Sequence, residues 1–387
     1  MTTTPVDIQA RLPRPEVAAA RRVIVKLGTR VLTHDSGRLA LSRLFAVVEA
    51  AAELRASGRE VLLVSSGAVG LGQDALGLED TLLELHVRQA CAAVGQNRLM
   101  ALYDSGFSRL GLVCGQVLLS QTDFDDRVRY LNLRSTLSAL LRRGVVPIIN
   151  ENDAVSTDEL AFVEGAERRI FGDNDRLSAL VATELDADLL VLLTDVDGVF
   201  DRDPRRYPEA RLLARVEDPD RLAGAAGGPA SAASRGGMRS KVEAASVAVR
   251  GGCHAVIASG REPGALRRVL NGDEVGTWFP AGPGLAARRR WIAFAVAPRG
   301  ELQLDAGAVV ALQDRGASLL AVGVARVEGE FEAGDVVQLR GPDGAVIGRG
   351  IVSCDAATAR QWTAGHAPEG VRNHHALVHR DHLALES

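Results

Sequence analysis

Lysine is almost absent from this chain. Of 45 basic residues among 387, only Lys26 and Lys241 are lysines, and arginine supplies the rest. Arginine has been used wherever any surface cation would serve. Each lysine therefore marks a place where a planar guanidinium cannot replace a compact, rotatable ammonium. Both lie in glycine-bearing segments, Lys26-Leu27-Gly28-Thr29 after an apolar run and Gly236-Gly237-Met238-Arg239-Ser240-Lys241, which suits loops that wrap a phosphate. The competing explanation is arginine-rich coding with two chance survivors.

Other scarcities exclude whole classes. Cys91, Cys114, Cys253 and Cys354 are dispersed, with no CxxC pair, so they read as small buried hydrophobes in a reducing compartment. No apolar run is long enough to span a bilayer: Leu185 to Phe200 is interrupted by Asp186, Asp188, Asp195 and Asp197, which hydrocarbon would not tolerate. Arg11, Arg14, Arg21 and Arg22 are not followed by a secretory h-region, and a cytoplasmic protein is expected. Positive charge is not in excess either. The formal charge is −4, which argues against a protein that coats nucleic acid.

The length suggests a large domain plus a smaller one. From residue 22 to about 270, apolar β-branched runs alternate with segments of helical period, the pattern of an α/β sandwich around a parallel sheet. Strands are expected at Arg22–Lys26, Glu60–Ser65, Leu112–Leu118, Val145–Asn150, Asp188–Thr194 and Ala255–Ala258, the last internal strand. Helices are expected from a Ser42 cap to Gly58, over 82–109, and at Leu133–Arg143, Asn174–Leu185 and Lys241–Arg250. Residues 155–171 read as an irregular hairpin or lid, and Ala223–Gly237 as a mobile Ala/Gly/Ser stretch. A Pro/Gly-rich stretch from Phe279 to Gly284 is the best boundary. Beyond it, short alternating strands such as Val322–Val327, Val336–Leu339 and Val346–Val352 read as a small C-terminal β-barrel. The expected layout is a catalytic domain over 18–274, a linker over 275–290 and the β domain over 291–378.

Four polar clusters fall at strand ends or helix starts, where an open α/β sheet binds ligands. At Lys26-Leu27-Gly28-Thr29 the glycine lets backbone approach a phosphate while the ammonium neutralises it; an ordinary strand-end turn would look the same. Ser65-Ser66-Gly67-Ala68 could hold a carboxylate, but capping of the next helix is the simpler reading. Asn150-Glu151-Asn152-Asp153 and Gly172-Asp173-Asn174-Asp175 could bind an ammonium group or orient lysines, or could merely cap and solvate loops. Thr194-Asp195-Val196-Asp197-Gly198 could line a nucleotide site, and its glycine comes too early for a calcium loop. Two motifs fail. Gly70-Leu71-Gly72 with Ala75 mimics a dinucleotide fingerprint without the following acid-ended strand, and Gly236 to Lys241 lacks the residues flanking a Walker lysine. His374, His375, His379 and His382 read as a solvated tail rather than a metal site.

In order and spacing, these segments resemble the motif series of the glutamate 5-kinase family. The resemblance rests on Val25 to Thr29, Ser65 to Ala68, Asn150 to Val155, Gly172 to Asp175 and Gly236 to Lys241. It implies a three-layer αβα sandwich with a mainly parallel sheet, the amino-acid kinase fold, followed by a PUA-like β-barrel. It also implies ATP with Mg²⁺ and transfer of the γ-phosphoryl group to the γ-carboxylate of L-glutamate for proline synthesis. By this likeness Lys26 and Lys241 would act on the moving phosphoryl group, with Asp175 orienting them. Ser66, Asp153 and Asn174 would hold glutamate. Thr194 and Asp195, with Gly236, Gly237, Met238 and Lys241, would bind the nucleotide. The family also suggests a homo-oligomer, dimer or tetramer, feedback by proline, and hand-over of the product to glutamyl phosphate reductase. Arg30, Arg235 and Arg239 depart from the family, standing where small hydroxylated residues are expected, and the spacer from Ser156 to Phe171 is longer than usual.

Two rival functions compete with this one. A haloacid dehalogenase-like phosphatase would use Asp195 as nucleophile and Lys241 downstream, but leaves Lys26 without a role. RNA binding by the C-terminal block is disfavoured, because residues 289–372 carry nine arginines against ten acids.

Overall fold

Several of the apolar runs are continuous rather than alternating, as a sheet covered by helices on both faces requires. In the computed structural model, which describes residues 13–34, 38–78, 84–155, 174–219, 222, 237–284, 289, 291–365 and 376–385, those runs are the strands of one sheet. The elements, in chain order, are α1 (Pro15–Ala18), β1 (Arg22–Leu27), α2 (Thr29–Leu32), α3 (Leu41–Ala56), β2 (Glu60–Ser65), α4 (Ala68–Leu76), α5 (Leu85–Arg109) and β3 (Cys114–Leu119). There follow α6 (Thr122–Asp125), α7 (Arg127–Arg142), β4 (Val146–Glu151), α8 (Asn174–Glu184), β5 (Leu189–Thr194), α9 (Met238–Arg250), β6 (His254–Ser259), α10 (Ala265–Leu270) and β7 (Thr277–Phe279). The sheet order is β3-β4-β2-β1-β5-β6-β7. All neighbours are parallel except β7, which runs antiparallel to β6.

Strand parity sets the site. Successive side chains of a strand point to opposite faces. Val23, Val25 and Leu27 of β1 join a core with Leu44, Val47 and Val48 of α3 and Leu99, Tyr103 and Phe107 of α5. Ile24 and Lys26 therefore fall on the other face, which α8 and α9 cover. The register places Lys26 beside Val64 of β2 and Leu192 of β5, at the C-terminal edge of the sheet.

Two glycines that mimicked a nucleotide fingerprint or carried no motif serve packing instead. A Cβ on Gly72 would lie 1.9 Å from the carbonyl oxygen of Cys91, and one on Gly95 would lie 1.7 Å from that of Ala68. Helices α4 and α5 thus approach backbone to backbone, which only glycine permits.

The chain divides into two compact units, 1–121 with 131–284 and 122–130 with 285–387. In the second, a π-helical turn (Trp291–Ala295) precedes β8 (Gly300–Leu304), α11 (Ala306–Arg315), β9 (Leu319–Leu320), β10 (Val324–Gly329), β11 (Val336–Arg340), β12 (Val346–Val352), α12 (Ala356–Thr363) and β13 (Ala376–Leu385). These strands make a six-stranded sheet of order β10-β8-β11-β12-β13-β9, antiparallel except between β8 and β11. Asp305 and Asp355 cap α11 and α12, accepting from the backbone N–H groups of Ala308 and Thr358, each at 2.7 Å. Within the same unit, the indole Nε1 of Trp291 donates to the Phe124 carbonyl at 3.0 Å.

Three local expectations need correction. Ser42 does not cap α3, which begins at Leu41 after Ala40 with no side-chain cap. Strand β6 is not the last of its sheet, since Thr277–Phe279 adds β7 along its edge. Helix α7 starts at Arg127, well over a turn before the expected Leu133. The hairpin or lid at 155–171 and the stretch 223–236 lie outside the described residues, apart from Val155.

Candidate functional site

The two lysines meet on one carboxylate. Lys26 Nζ lies 2.6 Å from Asp175 Oδ1, and Lys241 Nζ lies 3.0 Å from Oδ2. Ser240 Oγ also donates to Oδ2, at 2.8 Å. Asp175 is fully buried, and the lysines are 4 % and 7 % exposed, so three charges from β1, α8 and α9 share a dry pocket. Burial on its own would raise the Asp175 pKa, but the ammonium groups of Lys26 and Lys241 overcome it and hold the carboxyl well below its usual range. Among the described residues, two ammonium ions against one carboxylate leave the cluster a net +1. The ammonium of Lys26 lies over Gly28, 3.6 Å from where a Cβ on that residue would stand.

A chain of amides leads away from this cluster. Asn174 Nδ2 donates to Ser66 Oγ at 2.8 Å and to Asn150 Oδ1 at 2.9 Å. Asn150 Nδ2 in turn donates to Gln96 Oε1 at 2.9 Å. Capping was the simpler reading of Ser65-Ser66, and it does not hold. Gly67 caps α4 at φ +104° with no side-chain bond, Ser66 accepts from Asn174, and Ser65 Oγ lies 2.8 Å from the Tyr103 hydroxyl. Beside the amide chain opens a cavity of about 230 Å³ lined by Gln96, Asn97, Gln116 and the strand end from Asn150 to Asp153. Two buried atoms of the amide chain lack a hydrogen-bond partner among the described residues, Gln96 Nε2, a donor on the cavity wall, and Asn174 Oδ1, an acceptor. A buried amide left half-satisfied costs free energy, so a zwitterionic ligand offering both an acceptor and a donor would complete it.

At the end of β5, Thr194 Oγ1 donates to Asp195 Oδ1 at 3.2 Å, and the Arg30 guanidinium reaches Asp195 Oδ2 at 3.2 Å. Burial opposes ionisation of Asp195, yet Arg30, its own backbone and Thr194 hold its pKa below the ordinary value. Gly237 caps α9 without a side-chain bond, and Met238 opens that helix. Gly236 and Arg235 lie outside the described residues. Arg239 pairs with Glu243 one turn along the same helix at 2.7 Å.

Of the residues singled out in the sequence, Lys26, Lys241 and Asp175 thus form one cluster. Ser66 and Asn174 join the amide chain, and Asp153 lines the cavity. Thr194 and Asp195 stand at the neighbouring strand end. The sequence reading missed Gln96, one of two glutamines within a long helix, and Asn150 as the relay between it and Asn174. Among the described residues no group of three or more His, Cys, Asp or Glu gathers as a metal site.

Residues 21–259 match the amino acid kinase family and residues 300–374 match the PUA domain. The chain is 46 % identical over 381 residues to a glutamate 5-kinase from Thioalkalivibrio sulfidiphilus, with 96 % of this chain and 99 % of the relative covered. The chain belongs to the glutamate 5-kinases of the amino acid kinase family. Further members at this level are the glutamate 5-kinases of Bradyrhizobium diazoefficiens, 43 % identical over 380 residues, and of Pseudomonas putida, 44 % over 380, each covering 96 % of this chain and at least 99 % of the relative. This membership sets aside the phosphatase reading of Asp195. It also accounts for the mainly parallel sheet and for the β unit that follows it.

Proposed function

We propose that this chain catalyses ATP-dependent phosphorylation of the γ-carboxylate of L-glutamate. A carboxylate oxygen attacks the γ-phosphorus, the bond to the β-phosphate oxygen breaks, and ADP leaves with that electron pair; the product is glutamyl 5-phosphate. No base is needed, because a carboxylate with an ordinary pKa of about 4.3 is already ionised at neutral pH. The barrier is the approach of two anions, so catalysis is positioning and charge neutralisation. Lys26 and Lys241 stabilise the transferring phosphoryl group, contributions of this kind being typically about 3–4 kcal/mol each, and Asp175 holds both ammonium groups in place.

Glutamate is held by Ser66, Asp153, Asn174 and Gln96 around the cavity. The acceptor Asn174 Oδ1 suits the substrate ammonium and the donor Gln96 Nε2 a carboxylate. Thr194, Asp195 and the backbone from Gly236 to Lys241 bind ATP. Mg²⁺ fits this site as a companion of the nucleotide, since it is commonly held by phosphates, water and one or two carboxylates rather than by a protein cage. When bound it supplies further positive charge on the phosphate oxygens. The carrying observation is the convergence of the two lysines on one buried aspartate at the C-terminal edge of the sheet.

The reading extends to the rest of the molecule. The catalytic domain is the unit that runs to Gly284, with Thr277–Phe279 in its sheet, and the PUA-like domain is the unit of 122–130 and 285–387; the enzyme is a cytoplasmic homo-oligomer. Proline acts as a feedback inhibitor, and glutamyl phosphate reductase accepts the labile acyl phosphate. Hydroxylamine trapping tests the activity. With MgATP, glutamate is expected to yield hydroxamate well ahead of aspartate, and neither N-acetylglutamate nor UMP to be phosphorylated at a comparable rate. Preference for any of the other three would refute the assignment.

A further inference from the structure

Counted over these three described residues, the buried cluster of Lys26, Lys241 and Asp175 carries a net charge of +1, because the aspartate cancels one ammonium. Against it come a polyphosphate and a second anion, the acceptor carboxylate. The same strand edge offers another cation. Arg30 lies two residues beyond Gly28, over which the Lys26 ammonium sits, and it reaches across from α2 to Asp195 at the end of β5. Its side chain is 77 % exposed, whereas that of Asp195 is 20 % exposed. The carboxylate is fixed by Thr194 and the guanidinium is anchored at one end only.

We infer that Arg30 is a third phosphate-binding cation of this enzyme, resting on Asp195 in the free protein and turning to the polyphosphate of ATP when the nucleotide binds. An exposed ion pair of this kind contributes little to stability, so exchanging one oxygen partner for another is easy. A guanidinium suits the new partner, since its planar fork can engage two phosphate oxygens at once. Among the other arginines of this strand edge, Arg43 is already bound to the carbonyls of Val31, Thr33 and Arg261 and is not available in the same way. The role is one of nucleotide binding and polyphosphate specificity, and it gives a reason for a long cation on α2, just past the strand that carries the buried lysine.

The inference rests on the kinase reading above, and calorimetric binding separates the two. The probes are a non-hydrolysable MgATP analogue and adenosine, titrated into wild type, Arg30→Ser, Arg30→Lys and, as a control, Arg267→Ser, whose exposed pair with Glu53 belongs to neither site. Arg30→Ser is expected to weaken the ATP analogue about tenfold, the usual size of one lost charged hydrogen bond, with adenosine affinity unchanged. Arg30→Lys should recover part of the loss, and rising salt should weaken the analogue more steeply in wild type than in Arg30→Ser. Equal affinity of Arg30→Ser and wild type for the analogue would overturn the inference alone, and so would equal losses for analogue and adenosine. Failure of wild type to bind the analogue at all would overturn the kinase reading with it.

Discussion

Replacing Asp175 by asparagine keeps the shape of the buried cluster and removes the negative charge that both lysines share. Lys26 and Lys241, each nearly inaccessible to water, then face one another across a neutral amide that can accept through one oxygen only. Removing one partner of a buried ion pair typically destabilises by about 3–5 kcal/mol, because the remaining charge cannot be hydrated. In a domain of this size that corresponds to a fall in Tm of roughly 6–10 °C. The polyphosphate of ATP can restore the missing negative charge, so a non-hydrolysable analogue should raise the Tm of Asp175→Asn by more than it raises that of wild type. Turnover should nevertheless drop at least about a hundredfold, since the ammonium groups are no longer aimed and a small misplacement is expensive in rate. The pH dependence has a definite sign. The folded-state pKa of Asp175 is depressed, so its stabilisation is complete above the unfolded carboxylate value of about 3.9 and is lost as pH falls through that value toward the folded one. The Tm gap between wild type and Asp175→Asn should therefore narrow below about pH 4. Thermal melts and hydroxamate assays measure all of this. A variant with wild-type melting temperature and wild-type turnover would refute the reasoning.

Lys241→Arg retains charge but not size or rotatability, and kcat should fall by about two orders of magnitude or more in a glutamate-dependent assay; wild-type turnover would contradict the two-lysine account. Gln96→Leu removes the unpartnered donor of the cavity and should raise the KM for glutamate about tenfold or more, leaving the KM for ATP within about twofold. Gly95→Ala drives a methyl into the Ala68 carbonyl and should prevent stable packing of α4 on α5, seen as loss of the cooperative melt; an unchanged melt would mean that the helices can separate freely.

Much of the fold is legible in the amino-acid sequence. The strands β1, β2, β4 and β5 fall within a residue or two of their expected ends, because continuous Val, Ile and Leu runs ending in polar residues leave few alternatives. The scarcity of lysine points to both ammonium groups of the buried cluster, and the alternation along β1 puts Lys26 opposite the core face that holds Val25 and Leu27. That Asp175 joins the two lysines follows from family likeness alone, since residues 26, 175 and 241 have no local relation. Gln96 carries no signal at all: a glutamine on a long helix looks like a solvated face, whereas here it is buried and accepts from Asn150. Ser66 misleads in the opposite direction, because a serine before a helix usually caps, whereas here Gly67 in the left-handed region starts the helix and leaves the hydroxyl for Asn174. In the C-terminal unit, the helices at 306–315 and 356–363 escape a reading of strand alternation, and β13 follows a stretch too polar to stand out.

The central claim is that two ammonium ions distant in sequence converge on one migrating phosphoryl group. The most direct test is a crystal structure with a non-hydrolysable MgATP analogue and glutamate. The account requires Lys26 Nζ and Lys241 Nζ both to lie about 3 Å from oxygens of the γ-phosphate, with Asp175 still between them. Either ammonium turned into bulk solvent, away from the triphosphate, would contradict it.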